Sequence, residues 1–458
     1  MVALRFLALA YAAIAIALAA ARPAATAGPL ARDFEAYWSA GVTANAGADP
    51  YSRRIWKAES RVAGVDRRRD ELLPFIGPPA TLLVWRQLAR LPYAAAAALW
   101  LALLTIALLA LIFGALYGSR ERVTPASFLA AAALAIAFGP ITSDFALGQI
   151  ALFSFAAATL LVIVVDRSLL AAAAAAVVAF AQPNLALGLA SQLGRARALL
   201  AIAGGAVVTY GLGALALGRG WPLRYASAAL AHGAAERFVA IQITPAAVAY
   251  GFGLPPSAAW ALGIGVAVVA LAAGIALVLR VREPFARFAG CSALVPFAAA
   301  FVHEHDLLVA YVAAVACARR TRGATRVVGF IGTLLVCIDW LGLAQRPSGV
   351  AQSALLGLAA AAAFAALAPA GEPRATRAIL PIAALFAITA WFAVHHPAPV
   401  WPDMLGLFHA QRGASAAAVW LAEQRANGLL AVTPLWAFAR TLPLLGCALL
   451  AYAIYRCP

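Results

Sequence analysis

The chain has 458 residues, of which 65% are hydrophobic and 11% charged, and its mean hydropathy is +0.89. A soluble chain carries about a quarter charged residues, so this composition argues against a soluble globule. The net charge is +16, but the arginines stand in short clusters between apolar runs and not on a soluble basic face. The pattern argues against nucleic-acid binding and predicts an all-α, polytopic transmembrane helical bundle in contact with membrane lipids.

The first apolar run covers residues 3–21, and small residues follow it at Ala25 and Ala27, as at a signal-peptidase site. Its length favours a retained first span over a cleaved signal, and both alternatives are open. Either one places the next segment, residues 22–91, outside the cytoplasm. This extracytoplasmic loop is rich in carboxylates, and its amphipathic patterns predict interfacial helices at residues 33–45 and 52–62.

The remaining apolar runs predict a single integral membrane domain over residues 1–458, with about twelve spans and one broken half-helix pair. After the first run, the predicted spans cover residues 93–117, 126–141, 150–165, 199–217, 258–279, 288–302, 307–318, 327–343, 351–368, 379–394 and 432–455. A late extracytoplasmic loop, residues 395–431, precedes the last of them.

Residues 169–194 are ambiguous, because arginines flank this run and a Gln-Pro-Asn sequence interrupts it at 182–184. It forms either one kinked span or two half-helices that enter and leave on one side. Only the broken hairpin keeps the later arginine clusters on the cytoplasmic side, as the positive-inside rule requires. With the hairpin, Asp33 and residues 303–306 both lie on the opposite, extracytoplasmic side.

Asp33 stands directly after the first predicted span, at the start of an interfacial helix. One interpretation is an N-cap that binds free backbone N–H groups of that helix. The other is a general base at the membrane surface, where partial burial would raise a carboxyl pKa towards the working range.

The densest polar cluster at a helix end is His303, Glu304, His305 and Asp306. It is either a solvated turn or a site in which a histidine binds a phosphate or orients a sugar. The HExxH zinc motif is absent, and we expect no metal.

Other polar residues have two interpretations: they pack within a helix break, or they line a substrate cavity. Asp144 and Gln149 belong to an outer turn, whereas Gln182 and Asn184 lie at membrane depth, where polar groups face a cavity or one another. Arg54 is one of several arginines on the outer side, where headgroup contact and phosphate binding are the alternatives.

Several segments, taken in order, resemble glycosyltransferase family 87. The matching residues are Asp33-Phe34-x-x-Tyr37-Trp38-x-Ala40-Gly41, Gly47-Ala48-Asp49-Pro50-Tyr51, Pro74-Phe75-x-x-Pro78-Pro79, Gly148-Gln149, Gln182-Pro183 and His305-Asp306-Leu307. The resemblance covers the first two-thirds of the chain. Gln182 departs from the family pattern, in which lysine is usual at this position.

The resemblance implies a GT-C fold and inverting transfer of a hexose, typically mannose, from a polyprenyl-phosphate carrier to a lipid or glycan acceptor. Asp33 would be the catalytic base, assisted by His305 or His303. We expect the other polar groups to line the substrate site: Tyr37, Arg54, Asp144, Gln149, Gln182, Asn184, Glu304 and Asp306. The site would face outwards from a bacterial inner membrane, with no cofactor, because the sequence has no glycine-rich nucleotide loop. The alternatives are a transporter or flippase of lipid-linked saccharide, and a non-catalytic scaffold subunit.

Overall fold

The structure is a computed structural model that describes residues 2–20, 31–66, 68–70, 72–119, 123–338, 350–368, 406–430 and 433–457. Within these ranges the chain consists of helices and connecting turns, without a strand, which confirms the all-helical prediction. The predicted span at residues 379–394 and much of the late loop at 395–431 lie outside the described residues.

The helices are numbered here in chain order over the described residues. The α-helices are α1 Val2–Ala20, α2 Phe34–Asn45, α3 Trp56–Glu59, α4 Leu82–Leu88, α5 Tyr93–Gly118, α6 Pro125–Ile136, α7 Gly139–Leu147, α8 Ala151–Val164, α9 Leu169–Ala179, α10 Ala196–Leu217, α11 Trp221–Glu236, α12 Pro245–Gly251, α13 Pro256–Arg280, α14 Pro284–Ala298, α15 Ala310–Arg320, α16 Gly323–Cys337, α17 Val350–Leu367, α18 Ala416–Ala426 and α19 Pro434–Tyr455. Shorter 3₁₀ helices cover Arg53–Ile55, Pro79–Thr81, Leu185–Gln192 and His305–Val309.

Four of the described helices, α5, α10, α13 and α19, are long and apolar enough to cross a membrane. At a rise of about 1.5 Å per residue, helices of this length exceed the hydrocarbon thickness of about 30 Å. The chain is therefore a helical membrane protein. The count of about twelve spans and the GT-C arrangement stay predictions.

The predicted span at residues 126–141 is a bent pair of helices in the structure. The structure breaks it into α6 and α7, which meet at an angle of 67°. Pro140 stands at the start of α7, where it has no N–H to donate to the preceding turn and its ring disfavours helical backbone at Gly139. After the bend, α7 leads directly into the turn that carries Gln149.

The predicted interruption at residues 182–184 is present in the structure. Helix α9 ends at Ala179, and the 3₁₀ helix Leu185–Gln192 follows the break. The Ser154 hydroxyl of α8 donates a hydrogen bond to the freed Ala179 carbonyl at 2.5 Å, so the helix end is satisfied inside protein. That the two halves re-enter on one side stays a prediction.

The segment between α1 and α5 holds α2 tightly against α4. A Cβ atom at Gly41 would lie 2.2 Å from the Trp85 carbonyl oxygen, so only glycine permits this approach. The Tyr37 ring stacks on Trp85 with centroids 4.9 Å apart. The second predicted interfacial helix, at residues 52–62, is shorter than expected: a 3₁₀ turn leads into α3, which ends at Glu59.

Candidate functional site

Asp33 is half-buried and lies directly before α2, but its carboxylate makes no capping bond to that helix. Instead, Gln149 Nε2 donates a hydrogen bond to Asp33 Oδ2 at 2.5 Å, while the Asp33 N–H donates to the Leu147 carbonyl at 2.9 Å. Among the described residues, Oδ1 has no hydrogen-bond partner. The side-chain cap is therefore excluded, and one carboxylate oxygen is left for a ligand.

Tyr37, on the first turn of α2, fixes the orientation of Gln149. Its hydroxyl donates to Gln149 Oε1 at 2.5 Å, which turns the amide nitrogen towards Asp33. Burial and the nearby carboxylates of Asp33, Asp144 and Asp306 raise the pKa of Tyr37 well above its ordinary value. The phenol therefore stays protonated and keeps its role as a donor, and the three carboxylates surround it.

The turn that presents Gln149 depends on Gly148. Its φ of 69° lies in the left-handed region, and a Cβ atom there would stand 2.7 Å from Ala31 Cβ. Its carbonyl accepts a hydrogen bond from Trp100 Nε1 at 2.7 Å. The turn is thus fixed by backbone conformation, by close approach and by an indole donor.

We expect Gly148→Ala to lower the free energy of unfolding by about 2–3 kcal/mol. The strain of a left-handed alanine and the clash of its methyl group with Ala31 both destabilise the fold. Gly47→Ala is the matched control, because its φ is 71° but nothing lies within 4 Å of the new methyl. It should cost only about 1 kcal/mol. Thermal unfolding in detergent measures both, and equal losses would contradict the close-approach argument.

Asp144, on α7, is fully buried beneath this turn. Its Oδ1 accepts the Leu152 N–H at 3.1 Å in the first turn of α8. Its Oδ2 has no partner among the described residues. Asp144 therefore ties α7 to α8 and keeps one carboxylate oxygen for another group.

Asp306 joins the break at residues 182–184 to the late polar cluster. Its Oδ1 accepts Gln182 Nε2 at 2.6 Å, and its Oδ2 accepts the His303 N–H at 3.0 Å. Burial raises the pKa of Asp306 to about 6, against the opposing charge of His303. This carboxyl therefore titrates close to neutral pH.

His305 is buried beside Asp306, with Nε2 3.7 Å from Asp306 Oδ1. Burial and the neighbouring His303 lower the pKa of His305 to about 3, while Asp33 and Glu236 act in the opposite direction. His305 is therefore a neutral imidazole at physiological pH. The 3₁₀ helix that carries His305 packs against α7 and α8, the two helices on either side of the Gln149 turn that binds Asp33.

A buried carboxylate that was not predicted from the sequence contacts His303. Glu236, at the end of α11, lies 3.0 Å from His232 Nε2 and 3.5 Å from His303 Nε2. Burial alone would raise the pKa of Glu236, but the charges of His232 and His303 outweigh it and hold the value at about 2. Glu236 is therefore ionised. The spacing of His232 and Glu236, four residues apart on one helix face, was the available signal.

Gln242 completes this arrangement. Its Oε1 accepts the Val302 N–H at 3.0 Å, so its amide nitrogen faces Glu236 Oε2 at 3.1 Å and His303 Nε2 at 2.9 Å. An amide nitrogen only donates, which makes His303 Nε2 an acceptor and leaves the ring proton on Nδ1. Glu236 and Gln242 thus set both the position and the tautomer of His303.

The structure also places three further predicted residues. Arg54 is exposed on a 3₁₀ turn, and Asn184 has a buried Nδ2 without a partner among the described residues. Glu304 is half-buried and begins the 3₁₀ helix His305–Val309. Their roles in binding substrate stay predictions.

One donor set has the geometry for a small cation. His303, His305 and Asp306 each offer one ligand atom, and these atoms lie within 4.8 Å of one another. Two imidazoles and a carboxylate suit zinc and related ions. However, Asp306 and His303 already form hydrogen bonds to protein groups, which a cation would have to share or displace.

Fold and site together define a helical membrane protein in which carboxylates and histidines from distant segments converge on one buried polar site. The model of glycosyltransferase family 87 matches residues 75–302, and the chain belongs to that family. The chain is thus a glycosyltransferase. The matched region contains Gln149, Gln182 and Glu236, whereas Asp33 precedes it and His303 follows directly. Comparisons with curated proteins and with solved structures found no match.

Proposed function

We propose that the chain is an inverting GT-C-type hexosyltransferase. It transfers a hexose, which we take to be mannose, from a polyprenyl-phosphate carrier to a lipid or glycan acceptor. The reaction takes place on the outer face of a bacterial inner membrane. The observation that carries the proposal is the Asp33 carboxylate, which is held by Gln149 through one oxygen. Its other oxygen makes no hydrogen bond to the described residues and is open to an acceptor hydroxyl, and the helix His305–Val309 packs against α7, which leads into the Gln149 turn.

Asp33 acts as the general base. Its Oδ1 accepts the proton of the acceptor hydroxyl, whose oxygen attacks the anomeric carbon of the sugar. The bond from that carbon to the phosphate oxygen breaks, and its electron pair leaves with the lipid phosphate. Gln149 and Tyr37 act through Asp33, because their hydrogen bonds fix the carboxylate plane.

The leaving phosphate gains one negative charge, which the site has to stabilise. A lysine usual in the family is replaced by Gln182, whose amide is already bound to Asp306. His303 is better placed than His305 to supply the missing stabilisation. Its Nδ1–H is available as a donor, because the Gln242 amide occupies Nε2 and Glu236 holds that amide in place. His305 is a neutral donor.

A transfer assay with purified protein in liposomes tests the proposal. Polyprenyl-phosphate mannose, polyprenyl-phosphate glucose and a nucleotide sugar serve as donors for a short-chain lipid or glycan acceptor. We expect transfer from a polyprenyl-phosphate sugar, none from the nucleotide sugar, and inversion at the anomeric carbon by NMR. A flippase would instead move the lipid-linked sugar across the bilayer with its phosphate bond intact, and that outcome would overturn the proposal.

A further inference from the structure

A cavity with several arginines in its lining lies at the end of the bundle opposite the candidate active site. It has a volume of about 400 Å³, within the range of small-molecule sites. Its lining includes Arg280, Arg282, Glu283 and Arg320. Tyr455 lies next to the cavity and contacts Arg280. None of these residues takes part in the proposed transfer reaction.

Helix α19 shows how far apart the two sites are. Near its start, Arg440 donates hydrogen bonds to the carbonyls of Gln242 and Ala247. The side chain of Gln242 in turn contacts His303. The last residue of the helix, Tyr455, contacts Arg280 of the cavity. The fifteen residues from Arg440 to Tyr455 rise about 22 Å, so most of a hydrocarbon layer separates the sites. The arginine-rich end is the cytoplasmic end under the positive-inside rule.

Two of the arginines are held rigidly. Arg320 Nη1 donates to Glu283 Oε2 at 2.9 Å, and its Nη2 donates to the Gly118 carbonyl at 3.0 Å. The Arg280 guanidinium lies 4.8 Å from the centre of the Tyr455 ring, and its Nε donates to the Tyr455 carbonyl at 3.1 Å. Because these guanidinium groups are already immobilised, they lose little side-chain conformational entropy when they bind a planar or tetrahedral oxyanion.

Arg282 is exposed and has no partner among the described residues. Glu283, the carboxylate of the cavity, is already paired with Arg320. Three arginines against one carboxylate leave the cavity positively charged, so its ligand is an anion.

The apolar surface next to the cavity indicates where this anion comes from. Leu279, one residue before Arg280, is 80% exposed, and Ile275, one turn earlier on α13, is 53% exposed. In a membrane these side chains meet acyl chains, while the arginines stand at the depth of the headgroups. A ligand with an anionic head and an apolar tail matches both parts of the surface.

We propose that this cavity binds the phosphate headgroup of an anionic phospholipid from the adjacent leaflet. The phosphate lies between the Arg280 and Arg282 guanidinium groups, and an acyl chain follows the exposed face of α13. The site is independent of the transfer reaction at the opposite end of the bundle.

Native mass spectrometry and thermal unfolding of the full chain in detergent test the proposal, with titration of phosphatidylglycerol, phosphatidylcholine or inorganic phosphate. We expect phosphatidylglycerol, but not phosphatidylcholine, to bind and raise Tm. Arg282→Gln should weaken that binding about tenfold, since one charge-assisted contact is lost. Arg322→Gln is the matched control, because this exposed arginine lies at the same end but outside the cavity; its binding should change less than twofold.

Equal weakening by both variants, or no preference for phosphatidylglycerol, would overturn the proposal. If inorganic phosphate gave the same Tm rise, and Arg282→Gln abolished it, the phosphate chemistry would stand but the lipid source would be wrong. Sugar transfer measured on the same samples separates the two proposals, since Arg282→Gln should retain the ability to transfer sugar.

Discussion

Asp33→Asn is expected to lower the rate of sugar transfer about 10³-fold, within the usual range for loss of a general base. The substitution is nearly isosteric, and the asparagine oxygen can still accept the hydrogen bond from Gln149 Nε2 that the structure shows on Oδ2. What it removes is the basic oxygen that takes the acceptor proton. Membrane insertion and Tm should therefore stay close to the wild type, while product formation in the liposome assay nearly stops.

Asp49→Asn is the matched control for this substitution. Asp49 stands in the same segment between α1 and α5 and is exposed. One of its oxygens accepts the Tyr51 N–H at 3.0 Å. The substitution should change the transfer rate less than twofold. A rate for Asp33→Asn within tenfold of the wild type would remove Asp33 from the base role, and with it the mechanism proposed here.

The long apolar helices could be predicted from the sequence almost to the residue. The predicted spans at 93–117 and 258–279 correspond to α5 and α13, because a continuous apolar run has one stable form in lipid. At 126–141 the apolar run predicted the segment but not its break into α6 and α7, although Pro140 was visible in the sequence. Hydropathy measures how apolar a segment is, and it does not register a bend.

The candidate site, too, could be predicted only in part from the sequence. Asp33, Gln149, Gln182 and His305 were predicted because short motifs around them resemble a known family, and the structure links Asp33 to Gln149 and Gln182 to Asp306. The contact between Glu236 and His303 joins residues 67 positions apart in the chain. Only the packing of α11 against the late cluster creates it, and no local pattern encodes that packing.

His303→Gln is expected to lower the transfer rate about 10²-fold, as removal of a single transition-state donor usually does. Glu236→Gln should cost about tenfold, because Glu236 acts only through His303 and Gln242. The double variant should be no slower than His303→Gln alone, since the carboxylate has nothing left to position. His409→Gln, which changes an exposed histidine of the late loop, is the control for the histidine substitution.

The thermal stability of the variants separates a positioning role of Glu236 from a structural one. Glu236 is ionised, with a pKa near 2, and it accepts a hydrogen bond from the same Gln242 amide nitrogen that contacts His303 Nε2. If Glu236 only positions His303, Glu236→Gln should slow transfer at an unchanged Tm. A Glu236→Gln enzyme with a lowered Tm, together with a double variant slower than His303→Gln alone, would show that Glu236 only supports the fold around His303.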